Sequence, residues 1–290
     1  MTVNNLIGRG HRFPPYLFLL FPAVAFMLLM YAYPFITSFT RSVFDSDGNL
    51  TFGNYIKTWE LYRKDVFFTF GVTVFSTAVT GSLAILIAVY LRFRQGLISR
   101  LLSGLYKLPI FIPFVVVAQM MNSFLAPHGL LNVALAQIGL IDIDQPLQLF
   151  NFSGLSFGFM WKMVPFSVLI IHGGFQMIDN SYIEAARSAG ARNLTVITRI
   201  LIPMSKSSIM VALVLVYSQI VGTFTLPYML IGGKSPTTIT VDIAHRVNYF
   251  RDFGVANALG VLSYFLVLFT AVYYLRSSAK KMVDTKPVEV

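Results

Sequence analysis

Six separate stretches of this chain are apolar for longer than a soluble core helix needs, near 15–39, 68–91, 105–126, 154–178, 208–231 and 255–275. At about 1.5 Å of rise per residue, each is long enough to cross about 30 Å of hydrocarbon. Lipid offers no hydrogen bonds to the backbone, so stretches of this length must be helices. The expectation is therefore an all-α integral membrane protein with six spans in one transmembrane domain over 1–290. Only 12% of the residues are charged, against roughly 25% in a soluble domain, which fits a lipid solvent. Pro22, Pro34, Pro109, Pro113, Pro165 and Pro227 fall within or near these stretches. They require neighbouring helices or water to take up the backbone groups they free.

The net charge of +10 could suggest nucleic acid, but its placement argues for topology instead. With the N-terminus inside, the inner segments carry fourteen of the 22 Lys and Arg, among them Arg9, Arg12, Arg92, Arg94, Arg100, Arg187 and Lys281, and the outer segments seven. Both termini are thus expected in the cytoplasm, with no nucleic-acid partner. The basic lead and long apolar run at the N-terminus lack a small-residue cleavage site, so that run reads as a retained span. Lys162 falls within the fourth stretch, about two turns from its outer end. Two readings stand for it: a side chain that snorkels to the outer surface, or a group facing a pore. The outer loops 40–67 and 127–153 are the longest. Leu130, Leu131, Leu135 and Ile138 in the second recur at helical spacing, which predicts a short interfacial helix.

No Asp or Glu lies in any of the six stretches. Ion-coupled carriers usually keep a carboxylate at depth, which weakens a secondary-carrier reading. There is no cysteine, and the four histidines are scattered over both sides and one span, so no metal site is expected. No nucleophile–base motif is present either, so the chain reads as a non-enzyme. The run IGGKSPTT from Ile231 to Thr238 resembles a phosphate loop superficially, but Tyr228 stands where the first glycine belongs. The run is therefore not read as a nucleotide site.

The third inner segment is more ordered than a linker needs to be. Ser181 followed by Glu184 fits a capping box that starts a helix at Tyr182. Ala185, Ala186 and Ala189 favour helix, and Gly190 suits a left-handed stop. Asn193 can cap a second helix with Leu194, Ile197, Ile200 and Leu201 on one face. Pro203 then disfavours helix at Ile202 and turns the chain back toward the membrane. The outcome is a helical hairpin over 181–203 with a small-residue face that another protein can approach closely.

These residues carry a resemblance. Glu184-Ala185-Ala186, then Gly190, then Ile200 and Pro203, resemble the EAA motif of binding-protein-dependent ABC importer permeases, with Ile202 where that pattern has Leu. The runs LFLLFPAVAFMLLMYAYPFITSF, LYKLPIFIPFVVVAQMM and WKMVPFSVLIIHGGFQMID are similar to the maltose/glycerol-phosphate-type sugar permeases, and PYMLIGGKSPTT also resembles polyamine permeases. The resemblance implies a six-span type I importer permease in a bacterial cytoplasmic membrane. The hairpin would be the coupling helix, docking on a dimer of cytoplasmic ATPase subunits that bind ATP and Mg. A second permease, usually a different chain, would complete the pore, and a periplasmic or lipid-anchored binding protein would deliver the solute. Carried over by position, Glu184, Ala185, Ala186 and Gly190 would contact the ATPase. Arg187, by its placement, adds a polar contact.

Candidates for solute contacts are the polar and aromatic side chains near membrane depth: Gln119 and Asn122 in the third stretch, and Tyr217, Gln219, Thr223 and Tyr228 in the fifth. Each could equally hold two helices together. A sugar or related polar solute leads, a polyamine is the alternative within the class, and a self-contained secondary carrier is the alternative outside it.

Overall fold

The computed structural model describes residues 16–45, 48–94 and 96–284. The basic lead with Arg9 and Arg12, and the tail from 285, lie outside the described residues. Every named element is helical: α1 (Tyr16–Met27), α2 (Tyr33–Val43), α3 (Gly53–Phe93), α4 (Leu97–Leu105), α5 (Phe114–Leu125), α6 (Leu130–Gln137) and α7 (Phe152–Gln176) come first. They are followed by α8 (Asn180–Ser188), α9 (Asn193–Val196), α10 (Ile202–Met204), α11 (Lys206–Gly222), α12 (Thr225–Leu230), α13 (Ile239–His245) and α14 (Phe253–Asp284). Five helical segments are long and apolar enough to cross a membrane. A sixth crossing is available if Asn193–Met204 and Lys206–Gly222, bent by 70° at Ser205, count as one broken span.

The packing is organised by α3 and α7. α3 buries Thr69, Val72, Thr73, Ser76, Thr80, Gly81, Ala84, Ala88 and Leu91, a stripe of mostly small residues three or four apart. Such a stripe lets helices approach closely where lipid supplies no hydrophobic drive for association. At Gly81 an added Cβ would come within 2.4 Å of Leu213 on α11, and at Gly174 of α7 within 2.5 Å of the Ser208 Cβ. Two apolar clusters form along these helices. One joins Val72, Val117, Phe159, Val216 and Leu226. The other, near the hairpin, joins Ala88, Val168, Phe175, Ile183, Val196 and Leu201. The first apolar stretch is peripheral: Ser38 donates to Asn257 at 2.7 Å and Phe35 rests on Tyr264, which tie α2 to α14.

Several expectations are corrected. The segment 40–67 is not all loop, because α3 begins at Gly53 and runs for 41 residues. No proline interrupts it, and Glu60, Leu61, Arg63 and Lys64 in its polar part are good helix formers. Thr58 and Asp65 within that part are buried, which gives this extension a packed face. The stretch 105–126 is not one continuous helix. Pro109 and Pro113 divide it into α4, a 3₁₀ turn over Leu108–Phe111 and α5. Lys162 does not snorkel. It is 8% exposed, and its ammonium donates to the carbonyls of Pro109, Ile110 and Ile112 at 2.9, 3.1 and 2.5 Å. These carbonyls lie at the break the two prolines make, so the lysine caps that break, sharing the Pro109 carbonyl with the Ile112 amide. A helix does form within the loop 127–153: α6, with Leu130 exposed and Ile138 exposed just past its end.

Candidate functional site

The hairpin forms, but by different local chemistry from the capping box expected. α8 starts at Asn180, two residues before Tyr182, because Asp179 is the N-cap and accepts from the Ser181 amide at 2.8 Å. Those bonds to Ser181 hold the Asp179 carboxyl below its ordinary range. Glu184 is left exposed. The helix ends as expected at Gly190, whose φ of +81° is the left-handed stop. The Gly190 amide reaches the Arg187 carbonyl and the Ala191 amide the Ala186 carbonyl, both at 2.9 Å, which is the paired closure of a Schellman motif.

Asn193 is not a cap. Arg192 holds the N-cap position, and the Asn193 side chain instead accepts from Arg187 at 3.3 Å, closing the two helices on each other. The buried face of the second helix is Val196 and Leu201, with Ile197 and Ile200 partly covered, while Leu194 is 70% exposed. Leu194 sits on the outer side because a widened turn over Ile197–Leu201 shifts the register of the apolar residues. Helix continues through Ile202 and Pro203 to Met204, and the chain turns at Ser205. Pro203 is accommodated late in this helical run by the widened turn over Ile197–Leu201 just before it. Glu184, Ala185, Arg187, Gly190 and Pro203 are each exposed, and Ala186 and Ile200 are half-buried.

Sequence reading missed what fixes this hairpin to the rest of the chain. Arg92, in the last turn of α3, donates to the carbonyls of Phe175 and Ile178 at 3.1 and 2.9 Å and to the Asn180 side chain at 2.6 Å. One guanidinium thereby binds the end of α7, the linking turn and the start of α8. Its neighbour Phe93 lies under the Arg187 guanidinium at 5.5 Å. The signal available was an arginine at the end of an apolar run facing a helix C-terminus, where free carbonyls accumulate.

The opposite end of α3 is anchored by polar contacts too. Asp65 is 2% exposed and accepts from the Thr237 amide at 2.7 Å and the Ser235 hydroxyl at 3.1 Å. The run that resembles a phosphate loop thus directs an amide at an internal carboxylate. Tyr62 accepts from Arg246, and Lys57 pairs with Asp252 at 2.6 Å. Asp242 is buried beside this group, and burial, then the Asp65 charge, push its carboxyl up to about 8.

The expected solute contacts do not converge. Gln119 lines an open, largely apolar groove of about 840 Å³ together with Ser123, Trp161 and Met229. Asn122 donates to the Met229 carbonyl at 3.3 Å, which joins α5 to α12. Tyr217 lines a different pocket, of about 190 Å³, with Thr77 and Phe269. Thr223 donates to the Gln219 carbonyl at 2.6 Å and accepts from Thr240 at its own carbonyl, so it serves the break between α11 and α12. Gln219 is exposed, and Tyr228 stacks on Phe224 and meets the edge of His245. Among the described residues no three His, Asp or Glu side chains group so as to hold a metal ion.

With this geometry in hand, the chain was compared with known proteins. The family described as "Binding-protein-dependent transport system inner membrane component" matches residues 81–282. The sulfoquinovosyl glycerol permease SmoG of Agrobacterium fabrum is 32% identical over 155 residues, about half of each chain. The trehalose/maltose permease MalF of Thermococcus litoralis is 27% identical over 77% of both chains. The spermidine/putrescine permease PotB of Escherichia coli is 26% identical over 82% of this chain and 84% of its own. A solved bacterial ABC transporter that imports alginate contains a chain of the same fold, with TM-score 0.75 over 90% of this chain at 23% identity.

Proposed function

The chain belongs to the family of binding-protein-dependent transport system inner membrane components, and on that premise we propose that it is a pore-forming permease of an ATP-driven importer for a sugar or related polar solute. The hairpin faces the cytoplasm with both termini, as the Lys and Arg distribution favours. The observation that carries the reading is the exposed Glu184–Gly190 helix, closed at both ends and held from beneath by Arg92. A helix offered outward yet fixed to the longest span suits a part that receives force from a partner.

That partner is a dimer of ATPase subunits, which bind ATP and Mg, while this chain itself holds no cofactor and performs no chemistry. Glu184, Ala185, Ala186, Arg187 and Gly190 make the contact. Movement of the hairpin passes through Arg92 and Phe93 into α3. From Arg92 to Asp65 that helix rises about 40 Å without a break. It therefore delivers the stroke to the segment 232–252, on the side where a binding protein would release solute. A second, different permease completes the pore. Of the solute candidates, Gln119 has its amide free toward a groove, whereas Asn122 and Thr223 already serve helix joints. SmoG and MalF support a sugar-type solute by their names and PotB a polyamine, the alternative.

The test is co-purification in mild detergent through a tag on the C-terminus. An ATPase and a second permease are expected to come with the chain. Recovery of the chain alone, transporting in liposomes without ATP, would overturn the reading in favour of a secondary carrier.

A further inference from the structure

Where α3 hands over to α4, an open pocket of about 360 Å³ is lined by Arg94, Ser99, Arg100, Ser103, His172 and Gln176. No carboxylate lines it. Among the described residues neither arginine has an ion pair, the two salt bridges there being Lys57–Asp252 and Arg246–Asp252. Two guanidinium groups, the Ser99 hydroxyl, an imidazole and an amide line a space with nothing negative to meet them, while the Ser103 hydroxyl already donates to the Arg100 carbonyl at 2.8 Å. That donor set suits a phosphate, whose oxygens accept several charged hydrogen bonds at once.

The rest of α4 indicates where such a phosphate would come from. Leu97, Ile98, Leu101 and Leu105 are 71, 70, 54 and 58% exposed and fall on one stripe of the helix. Ser99, Arg100 and Ser103 fall on the other side, toward the pocket. A helix divided in this way lies in the membrane interface with its apolar stripe among acyl chains. The stripe and the pocket are thus presented side by side, as the tails and headgroup of one lipid require.

We propose that this pocket binds the phosphate headgroup of an anionic phospholipid from the leaflet on the hairpin side. The proposal rests on the membrane orientation given above. The site opens two residues beyond Arg92, whose bonds fix the hairpin, so a bound headgroup would stiffen the joint between α3 and the hairpin. A free cytoplasmic phosphate shares the same chemistry but would make no use of the apolar stripe.

The test uses the full chain with the subunits that co-purify, placed in nanodiscs of phosphatidylcholine with or without phosphatidylglycerol. Lipid retained on the complex is counted by native mass spectrometry, and thermal unfolding is followed in parallel. Phosphatidylglycerol is expected to be retained and to stabilise the wild type. The exposed arginines permit Arg94→Gln with Arg100→Gln without loss of fold, and this pair should bind about thirtyfold more weakly. Arg63→Gln, at the opposite end of α3, should behave as wild type. Equal retention by the double variant would overturn the site. Protection by inorganic phosphate alone, in phosphatidylcholine discs, would assign the pocket to a free anion and overturn the lipid. Neither readout depends on transport, so failure of the import reading would be seen separately.

Discussion

At one end of α3, Arg92 and Phe93 hold a hairpin whose own turns close between residues at most six apart. At the other end, Asp65 and Lys57 hold a segment 170 to 195 residues away in sequence. At the first end the hairpin's own turns are local and its outer face is exposed, although Arg92 reaches it across 83 to 88 residues. The second end is made of polar contacts to one distant segment, buried at Asp65 and exposed at Lys57. A rod joined to a self-contained turn at one end and to a distant loop at the other can carry movement between them without either end being remade. The difference also separates what substitutions should do: at the hairpin they should alter coupling, and at distant contacts they should alter stability.

The largest effect is expected at Gly190. Gly190→Pro cannot adopt the φ of +81° found there, so the hairpin loses its closure. Transport should be abolished while the chain still inserts and its spans keep their thermal stability. Wild-type uptake by this variant would separate the hairpin from coupling. Next is Lys162→Met, which leaves three carbonyls without their shared donor. A loss of about 3 kcal/mol is expected in denaturant unfolding. An unchanged midpoint would mean that the break between α4 and α5 satisfies itself.

Arg92→Ala should cost about 2 kcal/mol, and its distinctive mark is uncoupling. ATP hydrolysis by the complex should persist while uptake per ATP falls about tenfold, with Arg92→Lys restoring part of it. Parallel loss of both activities would reduce Arg92 to a structural residue. The remaining effect is at the far end, and it is read only as a dependence on pH. Asp242 is raised from 3.8 to about 8, so over that interval the folded chain holds a proton that the unfolded chain has released. Stability therefore falls as pH rises from about 4 to about 8. Asp242→Asn should flatten that slope and raise the midpoint near pH 8. A slope that survives the substitution would locate the proton elsewhere.

The helical spans and the stop at Gly190 were legible because hydropathy and left-handed glycine are properties of short runs of sequence. The hairpin start was misread by two residues because Ser181 and Asp179 are both competent caps, and only geometry chooses between them. The extension of α3 over Gly53–Val66 was hidden because its charged residues resemble a loop by hydropathy, and its buried face answers a segment far along the chain. Lys162 was left between two readings for the same reason: the carbonyls that hold it lie fifty residues and more earlier in the chain. The solute candidates were chosen by polarity and depth alone, and polarity at depth is also what joins helices, as Asn122 and Thr223 do here.

The chain contains no cysteine, so a single introduced thiol can be labelled without background. Ala185→Cys, carrying a photoreactive benzophenone, places the probe on the exposed face of α8 while leaving the bonds at both ends of that helix intact. Irradiation of transport-competent membranes, followed by mass spectrometry of the captured partner, tests the central claim directly. The account predicts capture of an ABC-type ATPase subunit, with a yield that changes when ATP is added. Transport-competent membranes that give no ATPase adduct at this position, with or without nucleotide, would contradict it.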